Sequence, residues 1–314
     1  MEYRQLGQTG LTVSRLCFGA LTIGPLQARL PLPEGVAVIE AALDAGVNFI
    51  DTASLYGTYE YIRQAIKGRE GIIVASKSYD WTYEGMKESV KKACRHLGRE
   101  YVDIFMLHEQ TSRLTLQGHG EALAYLSDAK KTGLIRSAGV STHTVEVVRA
   151  AAMIDDIDVI HPIFNMAGVG ILDGTVEDMS QAIEFAAGQG KGIYSMKALG
   201  GGHLCRNSRQ ALDWILNQDH IASVAVGMQT VDEVLYNASS FAGLRIDDGL
   251  EKKVQSRSRK LLIEEWCQGC GTCVTKCPTG ALTILGSHAI ADNSKCILCG
   301  YCGAHCPEFA LKII

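Results

Sequence analysis

The chain has 314 residues, is 47% hydrophobic, carries a formal net charge of -4 and contains only 6 prolines. That length allows one large domain, or one large and one small. The apolar fraction is ample for a core, and so few prolines argue against long disordered linkers. Acids and bases are mixed along the chain, which points to no nucleic-acid partner. No apolar run approaches the ~20 residues of a membrane helix, so no membrane association is expected. The start, Met1-Glu-Tyr-Arg-Gln-Leu-Gly, lacks the apolar core of a signal peptide.

In chain order, residues 3–12 read as a short hairpin turning between Gly7 and Gly10. Eight short apolar runs follow, at 15–20, 48–52, 72–76, 102–107, 137–141, 159–165, 192–197 and 222–227. Segments of helical spacing lie between most of them, at 35–45, 82–97, 120–132, 178–189, 208–218 and 230–239. Strand–helix alternation repeated eight times implies parallel strands with right-handed crossovers, closed into an α/β (β/α)8 TIM barrel. An open doubly wound sheet is disfavoured, because no G-x-G-x-x-G follows the first strand. Gly200-Gly201-Gly202 instead follows the seventh run, where a barrel places a phosphate-facing loop.

Barrel chemistry sits at the C-terminal ends of the strands. The second strand ends at Asp51, with Tyr56 in its loop; the third ends at Lys77 and the fourth at His108. A carboxylate, a phenol, an amine and an imidazole therefore converge on one mouth. A buried lysine cation beside a tyrosine is expected to lower the phenol's pKa, with Asp51 holding the lysine charged and His108 orienting a carbonyl oxygen. That set suits proton donation to an oxygen gaining negative charge. Elsewhere, Cys17 and Cys94 read as packed thiols. His119, His143 and His220 read as solvated, Trp81 as a pocket or barrel-capping residue, and 251–261 as a charged helix or linker between two domains.

The tail carries C-x2-C-x2-C-x3-C-P twice. The first run is Cys267, Cys270, Cys273, Cys277 and Pro278; the second is Cys296, Cys299, Cys302, Cys306 and Pro307. Zinc sites with four cysteines usually come as two separated pairs, and disulfides need neither this spacing nor two copies of it. A [4Fe–4S] cube needs four thiolates, of which one tight loop supplies three. Gly269, Gly271 and Gly303 let the backbone wrap an inorganic core closely. A repeat is also visible, with 277–284 matching 306–313 and a hairpin expected around Gly286-Ser287. Free thiols and clusters fit a reducing cytoplasm.

These runs resemble the bacterial two-cluster ferredoxins, in which the fourth cysteine of each run ligates the other cluster. The resemblance assigns Cys267, Cys270, Cys273 and Cys306 to one [4Fe–4S] cluster, and Cys296, Cys299, Cys302 and Cys277 to the other. It also allows a redox protein as partner. Residues 3–245 resemble the aldo-keto reductase family through Asn48-Phe-Ile-Asp51-Thr-Ala-Ser-Leu-Tyr56-Gly57, Ala75-Ser-Lys77, Met106-Leu-His108 and Ala138-Gly139-Val140-Ser141. That likeness implies a (β/α)8 barrel over residues 1–250, followed by linker and ferredoxin domain at 251–314. It implies NAD(P)H across the mouth, a small carbonyl or alcohol substrate, and Tyr56 as general acid.

For the nicotinamide the resemblance implies Ser141, Thr142, His161 and Asn165 around the carboxamide and Met196 against the ring, where relatives often stack a tyrosine. Asn237 falls at the adenine. Gly227 and Glu233 fall where NADPH-specific relatives carry basic residues, which favours NADH. Hydride moves two electrons and a cube one at a time. Two rivals therefore stay open: an electron-transfer protein whose barrel no longer reduces carbonyls, and a reductase whose clusters are purely structural.

Overall fold

The structure is a computed structural model that describes residues 1–314. Eight parallel strands close into a barrel: β3 (Leu16–Gly19), β4 (Phe49–Asp51), β5 (Ile73–Ser78), β6 (Val102–Gln110), β7 (Ile135–Thr142), β8 (Val159–Pro162), β9 (Gly192–Met196) and β10 (Ser223–Gly227). Their near-continuous apolar sequence is what strands covered on both faces require. The hairpin β1 (Tyr3–Gln5) and β2 (Thr12–Ser14) closes the end opposite the mouth. Its Leu6, Leu11 and Val13 join Phe49, Met106 and Tyr194 in a dry cluster that fills the barrel's interior.

Helices α1 (Leu32–Asp44), α2 (Tyr59–Ala65), α3 (Tyr83–Leu97), α5 (Gly120–Lys131), α6 (Val145–Ala152), α7 (Val176–Gly188), α8 (Ser208–Leu216) and α9 (Val231–Phe241) cover the outside; a short α4 (Arg113–Gly118) interrupts the loop before α5. The apolar faces of the covering helices meet the outer sheet surface in a 55-residue core. Starts follow side-chain chemistry: Thr82, Thr144, Thr175 and Thr230 each accept a backbone N–H three residues on, as helix N-caps do. Spacing alone did not reveal α2 and α6, whose 7 and 8 residues span about two turns.

After α9 comes α10 (Asp248–Gln255), then a small unit of β11 (Leu261–Ile263), α11 (Thr272–Lys276), β12 (Leu282–Leu285), β13 (His288–Ala291), α12 (Tyr301–Ala304) and β14 (Leu311–Ile313). Strands β11 and β14 pair antiparallel, as do β12 and β13 about the expected Gly286-Ser287 turn. This unit lies against the barrel's C-terminal face. The Ile313 carbonyl oxygen approaches Gly202 so closely that a Cβ there would sit 2.0 Å from it. No helix is long and apolar enough to cross a membrane.

Candidate active site and iron–sulfur centres

Asp51 is the hub of the mouth. Its carboxylate accepts two hydrogen bonds from Lys77 Nζ, at 2.8 and 2.7 Å, and one from the Tyr194 hydroxyl at 2.9 Å. Lys77 gives its third proton to the Thr52 carbonyl at 2.8 Å. Burial alone would raise the Asp51 carboxyl, but Lys77, His161 and these hydrogen bonds hold it below its usual value. Both partners are buried, so the pair is compensated only while both are present.

Tyr56 stands over this pair, with Lys77 Nζ 5.1 Å from its ring centroid. The expected lowering of its phenol is overturned. Burial first, then the negative charges of Asp51 and Glu109, raise it well above its ordinary value. The lysine charge is spent on Asp51, so Tyr56 stays protonated until an adjacent oxygen gains charge. His108 lies edge-on to Tyr56 at 5.7 Å. Burial, with Lys77 nearby, brings His108 down to about 3. It is therefore a neutral imidazole, and its Nδ1 is buried without a partner.

Sequence reading missed a second group beside the tetrad. Tyr79 stacks on His108 at 4.3 Å and donates to Glu109. Glu109 also faces His143 Nε2 at 3.7 Å, and His143 meets Lys197 Nζ at 2.8 Å. Burial would raise Glu109, yet Lys197, His143 and His108 hold it at about 2. Burial brings Lys197 to about 7, opposed by Glu109. His143, expected in solvent, is buried in this group, because the loop after β7 turns inward under the C-terminal unit. Only the strand-end position of these residues marked them in the sequence. Leu55, Tyr79 and Trp81, all exposed, give the rim an apolar and aromatic character.

The residues expected to hold a dinucleotide make contacts within the chain. Ser141 is buried and accepts the Glu109 N–H, at 2.8 Å. Thr142, also buried, donates to the Gln110 carbonyl. The His161 ring lies under the mouth, stacked 3.9 Å from Tyr194, with Nδ1 on the Tyr194 carbonyl. Asn165 spends both ends of its amide bracing its own loop at Ala167 and Val169. Met196 is half-buried, and Tyr194, the aromatic residue of its strand, points inward instead. Asn237 donates to Glu233 of its own helix, and a Cβ on Gly227 would meet Thr22 at 2.1 Å.

Glu233 pairs with Arg257, which reaches back after α10 and also meets Gln229. The repulsion that favoured NADH is thus matched by a cation. With the C-terminal unit docked, Gly201 in the loop placed for a phosphate is covered by Phe309 and Gly202 by Ile313, while Gly200 faces Val169 and Leu204.

The eight tail cysteines do gather as two sets. Cys277, Cys296, Cys299 and Cys302 line one small cavity, walled by Leu261, Leu282 and Ile313. Around Cys273, whose thiol burial raises, stand Cys267, Cys306 and Cys270, which raise it further. Burial pushes Cys302 up to about 12. Backbone N–H groups of Ala281, Ala289 and Ala310 point at Cys277, Cys267 and Cys306 sulfurs at 3.2–3.4 Å, contacts that tune cluster potentials. No three of the chain's Cys, His, Asp and Glu side chains converge on a single-ion position. Thiols spread around a cavity fit a cube better than one zinc. Gly269 and Gly271 adopt φ +61 and +80 in the first loop, conformations glycine takes freely. Gly303 does something else: it admits the His203 ring of the barrel.

Comparison with known proteins agrees with both halves. The aldo/keto reductase family model matches residues 15–213, more than half of the chain. The chain belongs to the aldo/keto reductase family. A 4Fe-4S dicluster domain matches residues 259–308, so this family member carries an iron–sulfur domain at its C-terminal side. It is 24% identical over 305 residues to L-galactose dehydrogenase of Arabidopsis thaliana, covering 83% of this chain and 94% of that protein. The solved structure of aldo-keto reductase AKR11C1 from Bacillus halodurans matches with a TM-score of 0.67 at 23% identity, over 81% of this chain and 95% of that one. The aldo-keto reductase-like PA4992 of Pseudomonas aeruginosa gives a TM-score of 0.66 at 25% identity, over 77% and 94%. The chain is thus an aldo/keto reductase-type oxidoreductase with an iron–sulfur domain.

Proposed function

We propose that this reductase interconverts a carbonyl and an alcohol at the barrel mouth, and exchanges the electrons with two [4Fe–4S] clusters in residues 251–314. Reduction takes two electrons and two protons. Tyr56 gives the proton that ends on oxygen, and solvent reaching the mouth beside exposed Tyr79 gives the one on carbon. Cys267, Cys270, Cys273 and Cys306 would hold one cluster and Cys277, Cys296, Cys299 and Cys302 the other, and the two together would supply the two electrons. Neutral His108 donates to the substrate oxygen and orients it. The buried Lys77–Asp51 pair fixes the floor beneath Tyr56. Once charge develops on the oxygen, transfer from a phenol of raised pKa is drawn forward; this is general acid catalysis. Leu55, Tyr79 and Trp81 suit a substrate with an apolar or aromatic body.

The observation that carries this reading is the covering of Gly201 by Phe309 and of Gly202 by Ile313. It sets the iron–sulfur domain against the glycine loop that was expected to face a phosphate. The complete set Asp51, Tyr56, Lys77 and His108 favours a second reading, NAD(P)H-dependent reduction with clusters that hold the tail. L-galactose dehydrogenase, named for alcohol oxidation, fits either. The deciding experiment mixes anaerobic, iron-replete protein with an aromatic aldehyde, supplying electrons either from dithionite or from NADH or NADPH. Alcohol formed by the pre-reduced protein alone supports the proposal. Alcohol formed only with a nicotinamide supports the second reading and removes the first.

A further inference from the structure

The two cysteine runs repeat in backbone as well as in sequence. Gly269 and Leu298, Gly271 and Gly300, and Gly280 and Phe309 occupy equivalent places, and all six have positive φ. At the last pair the first copy has the residue that the conformation favours. Around Gly280 a Cβ would meet nothing within 4 Å. The second copy holds a phenylalanine at φ +48, 3% exposed. A bulky residue persists in such a conformation only where its surroundings over-determine it, and strain of this kind concentrates at functional sites.

Here the surroundings belong to the barrel. The Phe309 ring fills a notch between Gly170 and Gly201, where added Cβ atoms would lie 2.9 and 2.8 Å from it. Lys197 Nζ sits over the ring at 4.2 Å, and His143 stands edge-on at 5.8 Å. Lys197 and Glu109 are themselves left-handed, at φ +58 and +46. Of the five non-glycine residues with positive φ in the chain, three therefore meet around His143. The Ser141 hydroxyl pins Glu109 in place. From Lys197 the contacts run through His143 and Glu109 to Tyr79, and Tyr79 stacks on His108.

We propose that Phe309 makes the iron–sulfur domain a working part of the barrel's active site, by seating Lys197 so that His143, Glu109 and Tyr79 hold the His108 ring beside Tyr56. Phe309 and Lys197 are positioning residues. The proposal deepens the reading of the mouth as the active site and rests on it, but its first test does not depend on turnover.

Phe309→Gly removes the ring and keeps a residue suited to the backbone, as Gly280 shows in the first copy. Lys197→Met breaks the same chain from the barrel side and leaves the tail untouched. Both variants are prepared anaerobically, checked for wild-type iron content, and treated with diethylpyrocarbonate; modified histidines are then located by mass spectrometry. The expected result is a severalfold faster modification of His108 in each variant, with no further gain in the double variant, and recovery in Lys197→Arg. Faster modification of His143 with His108 unchanged would make Phe309 a plug and overturn the proposal. So would additive effects in the double variant, since residues acting through one chain of contacts are not additive. If Phe309→Gly loses iron, Lys197→Met decides alone. In turnover, kcat should fall with KM unchanged. If wild-type protein proves inactive on carbonyls, the proposed reaction falls while the histidine result still judges the coupling.

Discussion

The barrel and the iron–sulfur domain are built on opposite plans. The barrel's sheet and covering helices share a 55-residue apolar core. The C-terminal unit's own apolar cluster has five buried residues, two of them, Cys273 and Cys302, being cysteines of the two runs. A unit that small depends on metal for its stability. The barrel's active groups come from strands far apart in sequence, whereas the tail's come from two contiguous loops. One region therefore makes its site from its fold, and the other makes its fold from its site.

The largest effect that would break this contrast is iron removal. Chelation under reducing conditions should unfold residues 259–308 and leave the barrel intact, read as full deuterium exchange in the tail beside retained protection in β5 to β7. A tail that stays protected without iron would contradict it. Next is Lys77→Met, which leaves the buried Asp51 carboxylate with no cation. Breaking a buried pair this way costs about 3–5 kcal/mol. Denaturant unfolding should show that loss in the barrel transition, with iron content unchanged.

Acid should separate the regions further. His108 and His161 are buried neutral, at about 3 and about 4, while unfolded histidines take protons near pH 6.5. Between those values the unfolded chain binds more protons, so barrel stability falls as pH is lowered from about 6.5 toward 4. Glu109, held at about 2, adds a loss in the same direction at lower pH. Thermal melts across that range should show the decline, and a flat profile would contradict the burial of neutral rings. The smallest expected signal is in nicotinamide titrations: neither NADH nor NADPH should give saturable fluorescence quenching with the docked chain. A micromolar dissociation constant for either would show that the mouth opens more readily than its contacts imply.

The same contrast decided what the sequence made legible. The cysteine runs could be read directly, because their ligands are local and spacing is the signal. The eight strands were legible from alternation, and Asp51, Tyr56, Lys77 and His108 from their places at strand ends. Long-range packing was not. Nothing in the spacing told that Lys77 would spend all three protons on Asp51 and Thr52 and leave Tyr56 with a raised pKa. Arg257 could not be matched to Glu233 without knowing that the chain turns back after α10. Phe309 looked like an ordinary repeat position, and only docking shows that its ring belongs to the barrel.

The central claim is that the barrel mouth supplies the proton while the clusters supply the electrons. Single-turnover oxidation of dithionite-reduced protein by an aromatic aldehyde tests it most directly, with wild type and Tyr56→Phe compared by the return of visible absorbance. Loss of general acid catalysis is worth about 10²–10⁴-fold. The account predicts that Tyr56→Phe keeps its iron and its colour but regains absorbance slower by that factor. Equal rates in the two proteins would contradict it, and would leave the chain an electron carrier on a barrel that no longer does this chemistry.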